Sequence, residues 1–121
     1  MFLMIIKQKK NGLVDNTGKN IIVQPEYDFI QLSNGYWFMT TGKDPILNPN
    51  ETAIASRGGK ILMKKNNFFS SVSKQTKLIN GEWIDVIQYK IKGDEKYRSM
   101  PIDEFFNTNW ELKLATDKYN L

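Results

Sequence analysis

Asn11-Gly12-Leu13-Val14-Asp15-Asn16-Thr17-Gly18-Lys19-Asn20-Ile21-Ile22 is echoed, more faintly, by Ala53-Ile54-Ala55-Ser56-Arg57-Gly58-Gly59-Lys60-Ile61-Leu62-Met63. The echo extends further along both copies. Pro25-Glu26-Tyr27-Asp28-Phe29-Ile30 and Asn34-Gly35-Tyr36-Trp37 in the first are answered by Asn67-Phe68-Phe69-Ser70-Ser71-Val72 and Asn80-Gly81-Glu82-Trp83 in the second. Gly18 and Gly59 are 41 residues apart and Asn34 and Asn80 are 46 apart, so the second copy carries 46 − 41 = 5 extra residues between its halves. A period near forty is the length of a small β-sheet unit such as a propeller blade. Units repeated in this way usually build surfaces.

Working outward from the repeat, short runs of β-branched and aromatic residues are cut by turn dipeptides, with no helical stripe to compete. Phe2 to Gln8 reads as a first strand, Lys10-Asn11-Gly12 as a turn, Leu13-Val14-Asp15 as a second strand and Asn16-Thr17-Gly18 as a second turn. Asn20 to Val23 makes a third strand, which Pro25 is expected to end because proline cannot donate to the ladder. Tyr27 to Leu32, the Asn34-Gly35 turn and Tyr36 to Thr41 complete the first unit. Gly42 to Asn50 links the copies. In the second copy Trp83 to Ile91 alternates as a half-buried strand, and Gly93-Asp94 turns it into Glu95 to Met100. Pro101 with Asp103 and Glu104 after it marks a short helix, and Trp110-Glu111-Leu112-Lys113-Leu114 alternates like a last strand.

With 121 residues the chain has the size of one domain, 1–121, able to bury a core without metals or disulfides. The units fall at about 1–42 and about 43–92, with a partial third over about 93–121. Cysteine and histidine are both absent. Thiolate chemistry, imidazole metal sites and catalytic triads are thereby excluded, which leaves carboxylates, lysines and tyrosines for any chemistry. No metal or cofactor is expected. The opening apolar run is six residues long and its lysines follow it, the reverse of a secretory leader. No stretch is long and apolar enough to be read as a membrane-spanning helix, so the expected location is the cytoplasm.

Gly12-Leu13-Val14-Asp15, Gly18-Lys19, Ile21-Ile22, Pro25 and Tyr27-Asp28 follow one another in the order and spacing of a WG repeat, and the first copy resembles that family. Asn11 holds the place of the name-giving tryptophan, and the second copy lacks the Pro and the Tyr-Asp pair. The resemblance implies an all-β, propeller-like or blade-stacking architecture and no enzymatic activity. By analogy of size and type, it also suggests a small bacterial immunity protein that plugs a toxin domain. About three units could not close a propeller, so open edges and an exposed surface would remain.

Carboxylate pairs are the one catalytic arrangement that the composition allows. Asp94-Glu95 sits in a predicted turn and Asp103-Glu104 in a first helical turn, where acidic residues favour the helix dipole. Asp15 and Asp28 read as turn and strand-end residues that satisfy backbone donors. Gly58-Gly59-Lys60 lacks the spacing of a phosphate loop and reads as a hairpin turn.

The positive charge is concentrated. Arg57, Lys60, Lys64, Lys65, Lys74 and Lys77 lie in a stretch with no acidic residue between Glu51 and Glu82, although the whole chain carries only +4. Such a stretch is a solvated face with Phe68 and Phe69 turned inward, or a surface that steers an acidic protein partner, or a phosphate-binding face with stacking aromatics. Tyr36 and Trp37, adjacent on a strand, point to opposite faces, so one of them is expected to be available as an interface anchor; Trp83, Tyr89 and Trp110 are expected mostly in the core.

The chain is therefore expected to be all-β, built of repeated antiparallel units resembling part of an open β-propeller of about three blades, with one short C-terminal helix. The expected function is non-enzymatic: binding and occluding a protein partner with an acidic face, a toxin domain such as a nuclease, through Arg57, Lys60, Lys64, Lys65, Lys74, Lys77, Tyr36 and Trp37. Nucleic-acid binding through residues 57–77 is the alternative. Open sheet edges would also let two copies pair as a homodimer.

Overall fold

The computed structural model describes residues 3–7 and 9–119, with side chains from 9 to 117. Phe2 and Gln8, the expected ends of the first strand, lie outside the described residues, as do the last two residues of the tail. The protein is mainly β, with three antiparallel sheets and a helical C-terminal segment. Sheet 1 joins β1 (Leu3–Lys7), β2 (Lys10–Val14) and β3 (Ile21–Tyr27). Sheet 2 joins β4 (Phe29–Ser33), β5 (Tyr36–Thr41), β6 (Glu51–Ser56) and β7 (Ile61–Asn66). Sheet 3 joins β8 (Phe69–Ile79), β9 (Glu82–Ile91) and β10 (Arg98–Pro101), followed by α1 (Ile102–Asn107) and α2 (Trp110–Tyr119). The pairings run in open meanders, and among the described residues no sheet closes on itself.

The sequence echo is also an echo of backbone. Ladder irregularities fall between Asn11 and Val14 in β2 and between Thr52 and Ala55 in β6, the same positions 41 residues on. In the turns that follow, Gly18 N–H donates to the Asp15 carbonyl and Gly59 N–H to the Ser56 carbonyl, at 3.1 and 2.8 Å. The next hairpins turn at Asn34-Gly35 and Asn80-Gly81, with φ of 52° and 87° in one and 52° and 82° in the other. Both positions in each turn have positive φ, the conformation that matches the right-handed twist of the flanking strands. The sheets nevertheless cross the borders of the repeat, because β5 of the first copy pairs with β6 of the second.

Sheet 2 is the middle layer. Along β6, Thr52, Ala53, Ile54 and Ala55 are all buried, as a strand covered on both faces requires. Ala53 and Ala55, with Trp37 and Met39, pack against Leu13, Val23 and Tyr27 of sheet 1. Ile54 points the other way and joins Met63, Phe69, Ile87, Tyr89, Phe105 and Trp110 in a second core beneath sheet 3 and the helices.

Four local expectations are corrected. The first hairpin turns before Lys10, where Lys9 has φ 65°, so Asn11-Gly12 lies inside β2. Pro25 does not end β3, because β3 is an edge strand and Pro25 sits beside the ladder irregularity opposite Gly12. The expected strand from Glu95 to Met100 forms only over β10. Trp110 to Leu114 is helical: Asn109 caps it, its side chain accepting from Leu112 N–H at 3.1 Å, and Trp110 and Leu114 share one face at i,i+4 spacing.

Asp15 shows how the turns are held. Its carboxylate accepts from Thr17 Oγ1 at 2.6 Å, Asn20 Nδ2 at 2.6 Å and Thr17 N–H at 3.0 Å. These bonds, led by the Thr17 hydroxyl, lower its pKa from 3.8 to about 2. Asp28, Asp85 and Asp94 are lowered as well. A depressed carboxyl contributes stability above its unfolded-state pKa and loses it as pH falls through the folded value. The melting temperature is therefore expected to fall as pH is lowered from about 4 toward about 2. In an Asp15→Asn variant followed by circular dichroism the dependence should be shallower; an identical dependence would remove Asp15 from the explanation.

Candidate functional site

The five extra residues of the second copy are what shape its surface. From Gly18 to Asn34 is 16 residues and from Gly59 to Asn80 is 21, and β8 with 11 residues is correspondingly longer than β4 with 5. Asn34, at the tip of the shorter hairpin, donates from Nδ2 to the Lys74 carbonyl at 3.1 Å. Sheet 2 therefore ends alongside Lys74, while the β8–β9 ladder runs on to Ile79↔Glu82. Every residue from Gln75 to Ile79 is exposed. The hairpin overhangs.

Its inner face, which continues the side carrying Ile87 and Tyr89 in the second core, ends in the directly paired Leu78 and Trp83. Trp83 is 72 % exposed and Leu78 58 %. A polar belt separates them from the core: Asp85 accepts from Lys74 Nζ at 3.1 Å and from Thr76 Oγ1 at 3.0 Å. The bond from Lys74, then that from Thr76, lowers the Asp85 pKa.

Trp37 and Trp83 each follow an Asn-Gly turn at the same distance, yet Trp37 is only 7 % exposed. Trp37 lies against sheet 1 and donates from Nε1 to the Arg57 carbonyl at 3.2 Å. That contact corrects the assignment of Trp37 as a surface anchor, and the exposure of Trp83 corrects the expectation that it is core. Tyr36 faces the opposite side of sheet 2, half-buried, with its ring centroid 5.9 Å from that of Phe106.

The bond from Trp37 to Arg57 also shows that the β6–β7 turn lies at the same end of sheet 2 as the Asn34-Gly35 turn, the end that the hairpin overhangs. Arg57 and Lys60 are exposed on that turn. The result is a step at this end of the molecule, where Leu78 and Trp83 project past the end of sheet 2 that also carries the basic turn.

The six cations of the basic stretch do not form one face. Lys65 pairs with Glu26 at 3.6 Å and lies over the Tyr27 ring at 5.7 Å, toward sheet 1. Lys74 is taken up by Asp85. Lys77 Nζ reaches Ser99 Oγ at 3.4 Å on the outer side of sheet 3. Among the described residues Arg57, Lys60, Lys64 and Lys77 form no ion pair, so the free charge sits mainly on the β6–β7 hairpin. Phe69 is core, as one alternative for the stretch expects, and Phe68 is half-buried beside it.

The acidic residues serve the backbone. Asp28 accepts from Gly42 N–H at 2.8 Å and pairs with Lys10, whose bond is the largest cause of its lowered pKa. Asp94 accepts from Lys96 N–H at 3.0 Å, the leading cause of its own lowered pKa. Asp103 and Glu104 occupy the first turn of α1. Burial raises the phenols of Tyr27 and Tyr89. Among the described residues no group of three acidic side chains is placed to hold a metal ion, and no helix is long and apolar enough to cross a membrane.

In comparisons with known proteins, no family model, no curated protein and no solved structure matches the chain.

Proposed function

We propose that the protein is a non-enzymatic binding module that occludes a protein partner, in the manner of a bacterial immunity protein covering a toxin domain. One observation carries the proposal: an exposed Leu78–Trp83 pair projects past the end of sheet 2 whose β6–β7 turn bears Arg57 and Lys60, neither of which forms an ion pair among the described residues. Large aromatic anchors beside charged rims are what protein interfaces use for affinity and for steering. The partner's matching surface is an apolar pocket edged by carboxylates, and a cytoplasmic toxin domain, a nuclease for instance, is the class favoured. Kinship with WG-repeat proteins, with the three sheets as blade-like units of an open arc, belongs to the same proposal. It rests on the ordered motif from Gly12 to Asp28 and on the repeated backbone.

The variant Arg57→Glu, Lys60→Glu, Lys64→Glu reverses the unpaired charge of the β6–β7 hairpin and leaves the Lys65–Glu26 and Lys74–Asp85 pairs intact. Used as bait in an extract of the native host, it is expected to lose at least about tenfold of the partner that the wild type recovers, with an unchanged melting temperature. Equal recovery would remove this hairpin from the interface. The same cations could hold phosphates, and salt separates the two readings. Nucleic acid bound through several phosphates would weaken steeply as salt rises, whereas a protein interface anchored on Trp83 would weaken mildly.

A further inference from the structure

We infer that the cleft between the turn over 44–48 and sheet 3 binds a small phosphomonoester with an apolar body. This turn joins β5 to β6, so it stands at the end of sheet 2 opposite the Asn34-Gly35 and β6–β7 turns, away from Leu78 and Trp83. The cleft holds about 340 Å³, the size of a small-molecule site. Leu47 is 81 % exposed, Ile46 65 % and Tyr97 58 %, and all three line it. They are held in place. Asp44 bridges to Asn48, its carbonyl accepting from Asn48 N–H at 2.9 Å and its carboxylate from Leu47 N–H at 3.3 Å, and the Pro45 carbonyl accepts from Thr40 Oγ1 at 2.8 Å. Contiguous apolar exposure on an anchored turn marks a binding surface.

Charge and donors select the ligand. Lys90, on the facing wall, lies over the Tyr97 ring at 5.4 Å and forms no ion pair among the described residues. Lys92 donates to the Asn50 carbonyl and brings a second positive charge beside the turn. Among the described residues no carboxylate lines the cleft. Asp44 is spent within its own turn, and Asp94 on Lys96 N–H and Arg98. Asn48, Ser71 and Tyr97 add an amide and two hydroxyls, whose side chains make no hydrogen bond among the described residues. Two cations with three neutral donors suit the three acceptor oxygens and nearly double negative charge of a phosphate better than a carboxylate. Ile46, Leu47 and the Tyr97 ring would cover the apolar body.

Heteronuclear NMR of the purified full chain, titrated with phenyl phosphate at constant ionic strength, tests the inference. The amides of Leu47, Asn48, Ser71 and Lys90 are expected to shift and saturate, with a dissociation constant of about 1 mM. Lys90→Gln should raise that constant at least about tenfold, the loss of a charge-assisted bond, without changing the melting temperature. Tyr97→Ala should weaken phenyl phosphate and leave inorganic phosphate as it was. The variant Arg57→Glu, Lys60→Glu, Lys64→Glu should bind phenyl phosphate as the wild type does. Shifts confined to the basic hairpin, an affinity indifferent to Lys90, or equal binding of uncharged benzyl alcohol would each overturn the inference. The proposed function rests on the other end of sheet 2, and none of these results touches it.

Discussion

Replacing Gly12 by alanine is expected to lower stability by about 3 kcal/mol, at the upper end of what forced overpacking costs. A Cβ built at Gly12 would lie 2.3 Å from the Val23 carbonyl oxygen and 2.8 Å from both Gln24 C and Pro25 N. All three are backbone atoms, so no side chain can swing away. The β3 strand would have to lift off β2, and Leu13, Val23 and Tyr27, which link sheet 1 to sheet 2, would be displaced with it. Gly18 is the control: its φ is +72° and nothing lies near a built Cβ, so alanine there should cost only about 1 kcal/mol of backbone strain. Urea unfolding of the two variants beside the wild type makes the comparison. Similar losses at both positions would mean that the close approach of β3 to Gly12 is misplaced.

Phe105→Ala is expected to cost about 4 kcal/mol, in the range for deleting a fully buried aromatic ring. Phe105 has no exposed surface, and its ring centroid lies 5.6 Å from that of Phe69, 5.5 Å from Tyr89 and 5.1 Å from Trp110. Its backbone carbonyl accepts from Trp110 Nε1 at 3.1 Å, tying α1 to α2. Removing the ring takes the centre out of the aromatic cluster by which the helices cover the second core. Phe106, half-buried against Tyr36, should cost well under half as much. Near-ultraviolet circular dichroism, followed through the same unfolding curves, reports the cluster directly. A loss no larger at Phe105 than at Phe106 would contradict the packing described for the helices.

These two positions also mark how far local sequence can be read. The repeat was legible because turn chemistry is local: Asn16-Thr17-Gly18, Asn34-Gly35, Gly58-Gly59 and Asn80-Gly81 all turn where Gly and Asn permit positive φ. Gly12 reads as a turn residue from sequence because a glycine required for close approach by a distant strand looks the same there as one required for φ. Trp110 to Leu114 reads as a strand although it is helical, because five alternating residues also fit a helix face. The better signal was Asn109, a capping residue directly before the run.

The site was legible in part. The extra residues between Gly59 and Asn80 are visible in the sequence, but not that they lengthen a hairpin past the neighbouring sheet. Trp37 and Trp83 occupy equivalent places in the repeat, and only the packing of sheets separates the buried one from the exposed one. The basic stretch was legible as composition. Its division was not, because it depends on pairings the stretch does not itself contain: Glu26, which takes up Lys65, comes from a strand 39 residues earlier, and Asp85, which takes up Lys74, comes from across the β8–β9 hairpin.

The most direct measurement places a photo-crosslinking benzoylphenylalanine at position 83 and irradiates the protein in its native host. Trp83 is exposed and outside both cores, so the substitution leaves the fold intact. The account predicts one discrete adduct with a heterologous protein, lost when Arg57, Lys60 and Lys64 are reversed to glutamate. Crosslinks to a second molecule of this chain alone, to nucleic acid, or indiscriminately to abundant proteins would contradict the claim that this step exists to cover a protein partner.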